Sequence, residues 1–363
     1  MFNKNKNKIN NSPKIIINGA FFCNNISGIE RIAYEITKRL DEISKKDEIG
    51  LIITKDAKNV PSFRNLKVIN YDKNIGSLPK WEQFVLPGIL RKKRAISFDF
   101  GNTCSLFYPG ISFLHDIYYE MFPDDFKTKR EKHEHLYFRV LYRIIAYRAK
   151  KIITDSYFIK NQIAKTYHIN KKKITVIYFG WDHFKQIKSD YTIFDDYPSL
   201  SKPFYFSLGS ISKRKNIKWI IEYAAKNPES LFVISGSSLN TVKIDELSFS
   251  IPPNVILPGY LDDGKVKALM ERCKAFIHPS YYEGFGLTPL EALSCGAKII
   301  IAKAASLPEV YGNTAHYIDP FNTNVDLDEI LKQPVDPPDE ILKKYSYDTS
   351  TSQIYSIIQE YNK

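Results

Sequence analysis

A chain of 363 residues can hold two domains with a core each, and its 44% apolar and 25% charged side chains are ordinary for a folded globular protein. The net charge of +12 lies in the first half: residues 1–190 carry 35 Lys and Arg against 19 Asp and Glu, and residues 191–363 carry 17 against 21. No run nears ~18 uninterrupted apolar residues, and Cys23, Cys104, Cys273 and Cys295 are scattered without a CxxC pair, which argues against a spanning helix, a zinc site and a disulfide framework. Such cysteine usage suits a reducing cytoplasm. The basic first half suggests an acidic partner, either nucleic acid or an anionic membrane surface, against the simpler reading of a solvated basic face.

Residues 1–13 are polar and basic and read as a disordered tail. Lys14–Asn18 is a short buried strand. It enters a loop at Gly19 and then a helical pattern after Gly28, with Ile32, Ile36, Leu40 and Ile43 on one face. GxGxxG is absent, so no dinucleotide fingerprint is present. Gly28 is needed either for backbone shape or for a loop that faces a ligand. Gly50–Thr54, Leu66–Ile69, Ala95–Phe100 and Ile111–His115 are further strands. Between them, Pro79–Arg94 joins an apolar stretch to four basic residues, as a membrane-surface segment or a surface helix with a charged end.

His115 and Asp116 close a buried strand, at the edge where open parallel sheets bind ligands. Tyr118 and Tyr119 follow as an apolar rim. Lys127–Lys151 reads as a long basic helix with Leu136, Val140, Leu141, Ile144 and Ile145 on one side. Strand, helix and strand continue through Tyr178. The periodic pattern then stops, and residues 183–202 read as a linker.

A second βα series starts at Phe204–Leu208. Its first strand ends at Gly209-Ser210, and Lys213, Arg214 and Lys215 precede a helix near Asn216. Cations in a strand-end loop beside a helix N-terminus suit a diphosphate. Gly259-Tyr260 is another strand-end turn, and Asp263 reads as the cap of the helix that follows. Most informative is AFIHPSYYEGFGLTPLEALSCGAKIIIA. Phe276–Ile277 ends a strand, Glu283-Gly284-Phe285-Gly286 is a turn, and a helix follows with Thr288 as cap. Two carboxylates, Glu283 and Glu291, flank this turn eight residues apart. Glu283 in a tight glycine turn suits sugar hydroxyls. Glu291 is divided between a ligand role and a capping box with Thr288.

At these residues the sequence resembles the retaining glycosyltransferases of family 4, in the GT-B superfamily. SYYEGFGLTPLEALSCGAKIIIAKAASLPEV is similar to the family's EGFGL…E signature. SGIERIAYEI, FLHD, KKIITDSYFIKNQIAKTYHI and SLGSISKRKNI are weaker matches in the family's order. WEQFVLP and IYFGWDH resemble bacterial enzymes of capsule and O-antigen synthesis. The resemblance implies an α/β fold of two Rossmann-like domains facing each other across a donor cleft. These would be an acceptor domain at 14–182 and a nucleotide-sugar domain at 203–346, with a helix near 347–363 packing back on the first.

It implies that Glu283 holds donor-sugar hydroxyls and that amides from Gly284 through Phe285 and Gly286 to Leu287 hold sugar and phosphate. Glu291 would hold the ribose, and Lys215, with Arg214, the diphosphate. His115 would lie at the reacting centre with Asp116, Tyr118 and Tyr119 on the acceptor side, and Gly28 would let its loop approach the phosphates. Ser210 stands where many members have Arg, and Lys213 where Pro is common.

The expected activity is metal-independent, retaining transfer from a nucleotide diphosphate sugar to a saccharide acceptor, with no cofactor. A lipid-diphosphate-linked saccharide is one such acceptor, and the protein would be cytoplasmic or peripheral on the inner face of the plasma membrane. A sugar epimerase or phosphorylase of similar fold is one alternative. A nucleic-acid-binding module is another, and no RNP, KH or zinc-finger pattern supports it.

Overall fold

The computed structural model describes residues 12–26, 28–209, 212–236 and 250–362. The expected tail falls almost wholly outside these residues, as does Ser210. The chain forms two compact units. Met1–Thr154, Lys160–Ile177 and Asp348–Lys363 make the first, and Asp155–Ile159 with Tyr178–Tyr347 make the second.

Seven strands build the sheet of the first unit: β1 (Ile15–Asn18), β2 (Ile49–Thr54), β3 (Lys67–Tyr71), β4 (Ile96–Asp99), β5 (Ile111–Phe113), β6 (Lys151–Thr154) and β7 (Ile174–Val176). All pairings are parallel, in the order β3-β2-β1-β4-β5-β6-β7. Parallel strands are covered on both faces, so their sequences are apolar runs. Ile15, Ile16 and Ile17 are accordingly all buried. The order reverses between β1 and β4, and the carboxyl ends of strands at such a reversal are where open parallel sheets bind ligands.

The helix Gly28–Ile43 buries Ile32, Ile36 and Leu40, while Ile43 is exposed, contrary to the expected face. Its buried Asp41 accepts the backbone N–H groups of Arg64 (2.8 Å), Asn65 (2.8 Å) and Leu66 (2.8 Å), so the acid at that turn is satisfied by the loop before β3. Leu78–Lys93 is no free amphipathic segment. An α-turn at Leu78–Lys80 runs into a π-helical turn, Trp81–Val85, and then an α-helix, Leu86–Lys93. Trp81, Leu86 and Leu90 pack on Ile16, Ala20 and Ile52, so most apolar side chains proposed for a membrane serve the core, and Phe84 and Pro79 are the exposed ones.

The basic helix is Lys129–Arg148, started by a capping box between Thr128 and Glu131. It buries Leu141, Tyr142, Ile145 and Ala146, and it turns Leu136 and Val140 outward, the reverse of the expected face for those two. The helix Tyr347–Asn362 packs on this unit from Asp348 onward. Arg39 pairs with Asp348 at 2.8 Å, and Tyr355 and Gln359 bond Glu48 at 2.8 and 2.7 Å.

The sheet of the second unit has β8 (Phe204–Leu208), β9 (Leu231–Ser235), β10 (Val255–Gly259), β11 (Ala275–His278), β12 (Ile299–Ala302) and β13 (His316–Ile318). It too is parallel, in the order β10-β9-β8-β11-β12-β13, and it reverses between β8 and β11. Its core joins Tyr205, Phe232, Ala275, Ile277 and Ile300 with Trp219 and Tyr223 of the helix Ile217–Lys226. Residues read as a linker carry short helical turns at Asp182–Gln186, Ile193–Asp196 and Pro198–Ser201. Phe184, Ile193 and Leu200 anchor them in this unit at spacings that make no regular period.

Candidate functional site

In the second unit the loops that follow β8 and β11 meet at the carboxyl edge where the strand order reverses. After Gly209 the chain makes a 3₁₀ turn, Lys213–Lys215, and Asn216 takes a left-handed φ of +54° before its helix starts. That conformation lets the Asn216 amide donate to Pro279 O (3.1 Å) and Pro320 O (2.7 Å). Arg214 O accepts from Tyr281 N (3.0 Å) and Ser280 Oγ (2.7 Å). The two loops are therefore fastened through their backbones, and their charged side chains converge on one carboxylate.

That carboxylate is Glu283, which the structure buries. Lys215 Nζ lies 2.6 Å from Oε1 and Arg214 Nη1 3.1 Å from Oε2. His278, the last residue of β11, adds Nε2 at 2.9 Å from Oε1. Burial alone would raise the Glu283 carboxyl. The charges of Lys215 and Arg214, with the His278 bond, outweigh it and hold the group well below the usual carboxylate range. Burial lowers His278 against the pull of Glu283, which leaves the ring neutral. Two cations, Lys215 and Arg214, thus meet on this one buried carboxylate.

The turn after Glu283 is shaped by Gly286, whose φ is +84°. A Cβ there would stand 2.5 Å from Leu307 Cδ2, so a glycine is needed for both backbone and space. Gly286 is also the N-cap of the helix Leu287–Ser294, which corrects the expected cap at Thr288. The helix starts before Thr288, so no capping box forms. The buried Thr288 Oγ1 has no hydrogen-bond partner among the described residues. Glu291 is freed from the capping role and stands 3.2 Å from His183 Nε2. Gly284 is buried, and the Phe285 ring packs on Phe179 and Tyr345, so it is a core side chain with only its backbone left for a ligand. Leu287, in the first turn of the helix, is partly exposed.

Gly209 lies against the Lys215 stem, at 3.7 Å from a built Cβ to Cδ. Gly259 ends β10 elsewhere on the same edge, and Tyr260 follows it. Gly259 O accepts from Ser235 Oγ (2.7 Å), and Tyr260 is exposed. The cap of the helix Asp263–Arg272 is Asp262, one residue before the expected Asp263.

In the first unit His115 follows β5, buried and stacked on Phe113. Its backbone N–H donates to Asn102 Oδ1 (2.7 Å), and Nε2 lies 2.7 Å from Phe100 O. A carbonyl only accepts, so Nε2 carries the hydrogen. Asp116 Oδ1 accepts from Tyr118 N (2.9 Å), a local turn. Tyr118 bonds Asp125, and Tyr119 bonds Glu134 (2.7 Å) while stacking between Phe126 and Phe138, so both rings belong to an aromatic cluster. Gly28 starts its helix without a positive φ, and a Cβ there would meet nothing within 4 Å. Local backbone shape therefore does not demand a glycine at that position.

A second polar group lies at the β1 and β4 ends. Asp99 accepts from Ser97 Oγ (2.7 Å) and Asn18 Nδ2 (3.2 Å), and Asn18 Oδ1 accepts from Trp81 Nε1 (2.9 Å). Glu82 accepts from Thr103 Oγ1 (2.7 Å), while its buried Oε2 has no partner among the described residues. Burial, with Asp99 nearby, pushes the Glu82 carboxyl up to about 8, and burial pushes Asp99 to about 6. His278, His183, Glu82 and Asp99 were not foreseen. His278 sits at a buried strand end, the same signal that marks His115.

Residues 192–345 match the family described as glycosyl transferases group 1. Over 211 residues the chain is 28% identical to the O-antigen chain mannosyltransferase RfbU of Salmonella typhimurium, covering 57% of this chain and 56% of that one. It is 31% identical over 151 residues to the serotype-specific mannosyltransferase WbdA of Escherichia coli, covering 39% of this chain and 18% of that one. The chain thus spans little more than half of the first relative and under a fifth of the second. Among solved structures, the sucrose-phosphate synthase of Thermosynechococcus elongatus matches at a TM-score of 0.70 with 14% identity, over 96% of this chain and 98% of that one. Anabaena HepE in complex with UDP and glucose matches at 0.68 with 17% identity, over 96% and 100%. Residues 192–345 are a glycosyl transferases group 1 domain, and the two parallel-sheet units have the GT-B fold.

Proposed function

We propose that this protein moves a sugar from a nucleoside diphosphate sugar to a saccharide hydroxyl, with retention, in the synthesis of a bacterial surface polysaccharide such as O-antigen or capsule. The observation that carries the reading is the convergence of Lys215 and Arg214 on Glu283 at the strand-order reversal of the second sheet. A diphosphate leaving group gains negative charge as its bond to the anomeric carbon breaks, and preorganised cations are the largest usual source of rate there. In this reading Lys215, Arg214 and the first amides of the helix Leu287–Ser294 meet that charge in place of a metal ion. Glu283 accepts donor-sugar hydroxyls, and Glu291, released from capping, is the ribose contact. His115 is assigned to the reacting centre and Gly28 to the phosphate-facing loop. The acceptor oxygen bonds the anomeric carbon on the face the phosphate leaves, and a phosphate oxygen takes the acceptor's proton.

The homology to mannosyltransferases of O-antigen supports the pathway, and the HepE complex supports a nucleotide-sugar donor. A lipid-diphosphate-linked acceptor and an anionic membrane surface fit the basic first unit, which exposes Phe84, Phe107, Leu136 and Tyr147. Among the described residues no helix is long and apolar enough to cross a membrane. A cytoplasmic location with peripheral attachment is part of the proposal.

The test is Lys215→Ala, assayed for sugar transfer from GDP-mannose and UDP-glucose to lipid-linked saccharide extracts. Loss of about 10²–10³ in kcat with an unchanged circular dichroism spectrum is expected. Near wild-type turnover would remove Lys215 from the site and the reading with it.

A further inference from the structure

Glu283 and a donor diphosphate require the same two cations. Lys215 and Arg214 reach the carboxylate with side chains 18% and 26% exposed, whereas Glu283 is 7% and His278 3% exposed. A diphosphate carries more negative charge than one carboxylate and takes lysine and arginine in the same geometry. It therefore draws both cations away. The backbones stay in place, since Ser280 and Tyr281 hold Arg214 O, and Ser306 Oγ holds Glu283 O at 2.9 Å. The exchange is then confined to side chains.

A carboxylate this buried is strongly destabilising once its partners leave. Of its three donors, one is fixed. His278 ends β11, in register with Ile301 of β12, and its ring is stacked on Phe276. An ionised carboxylate only accepts, so the 2.9 Å contact is Nε2–H donating to Oε1. A neutral ring does not compete with the cations for a phosphate.

We infer that His278 is the positioning residue of the donor-sugar subsite: it keeps Glu283 aimed while the diphosphate takes Lys215 and Arg214, and the exchange opens Glu283 acceptor positions to sugar hydroxyls. This rests on the donor-site reading above. Glu283 is the anion that the two cations hold until a diphosphate takes them, and sugar recognition is switched on by diphosphate recognition.

Calorimetric titration of the full chain with GDP, GDP-mannose, UDP and UDP-glucose tests the inference. His278→Phe keeps the ring stack and removes the donor, and His278→Gln restores an N–H. The Phe variant is expected to bind the free nucleoside diphosphate within about twofold of wild type while losing about tenfold in nucleotide-sugar affinity, the scale of one lost bond to a charged acceptor. The Gln variant is expected to recover most of that loss. Glu283→Gln, which removes the competing carboxylate, is expected to bind the free diphosphate about tenfold more tightly and to lose the preference for the sugar-bearing form. Equal losses for both ligand types in His278→Phe would overturn the inference, as would unchanged sugar affinity or no gain in Glu283→Gln. Absence of nucleoside diphosphate binding by the wild type would instead remove the donor reading itself, and this inference with it.

Discussion

Replacing Glu82 by Gln isolates the proton held by the buried carboxyl pair of the first unit. Glu82 faces Asp99, Thr103 and Cys104, with no cation among the causes of its shift, and its carboxyl titrates near 8 rather than 4.5. In the unfolded chain the carboxyl ionises near 4.5, so between these values the fold holds a proton that unfolding releases. The contribution to stability is complete below about 4.5 and is lost as pH rises toward 8, at about 1.4 kcal/mol per pH unit. From pH 5 to pH 7 the loss integrates to about 2.5 kcal/mol for Glu82. Asp99, raised to about 6, adds a smaller loss of the same sign. Glu82→Gln keeps an oxygen for the Thr103 hydroxyl and cannot ionise, so its stability should fall about 2.5 kcal/mol less over that interval. The assay is native-state hydrogen exchange of the β1 and β4 amides at both pH values, corrected for intrinsic exchange, because two units make one global midpoint ambiguous. A protonated-carboxyl infrared band lost in the variant is the direct check. Parallel stability curves for wild type and Glu82→Gln would refute the argument, since they would place an ionised Glu82 in the folded unit.

Two further substitutions probe features that sequence patterns obscured. Thr288→Val removes a buried hydroxyl that has no partner among the described residues, so the melting temperature should hold or rise while nucleoside diphosphate affinity falls severalfold; a loss of stability would show that the hydroxyl is already satisfied. Asp41→Ala strands the amides of Arg64, Asn65 and Leu66, and should cost the first unit about 2–3 kcal/mol in urea denaturation, with exchange protection lost first at those amides.

The parallel strands were legible because burial on both faces writes them as apolar runs, as at Ile15–Ile17 and Ile299–Ile301. β13 was missed because His316-Tyr317-Ile318 is three residues with one apolar pair. The Leu78–Lys93 segment misled because its core contacts, Trp81, Leu86 and Leu90, are spaced by five and then four. A π-turn inserts the extra residue, and a 3.6-residue template does not find it. The basic helix carries apolar residues on more than one side, and periodicity alone could not say that Leu136 faces outward. Thr288-x-x-Glu291 is a valid cap signature in the wrong place, overruled by the left-handed Gly286. The convergence of Arg214 and Lys215 on Glu283 spans 68 and more residues of sequence, so only the sheet order brings it about. His278 needed no such information. It ends a buried strand as His115 nearly does, and the same rule applied twice would have found it.

The order in which the chain is made does not match the order in which its units can close. Residues from Asp348 onward belong to the first unit, yet they leave the ribosome after the whole of the second. Arg39 waits 309 residues for Asp348, and Glu48 waits 307 for Tyr355 and 311 for Gln359. The second unit draws on two stretches that are both complete by Tyr347, so it can finish first while the earlier-made sheet still lacks a covering helix. Nascent chains halted before and after that helix should therefore differ in the protease resistance of the first unit and agree in that of the second.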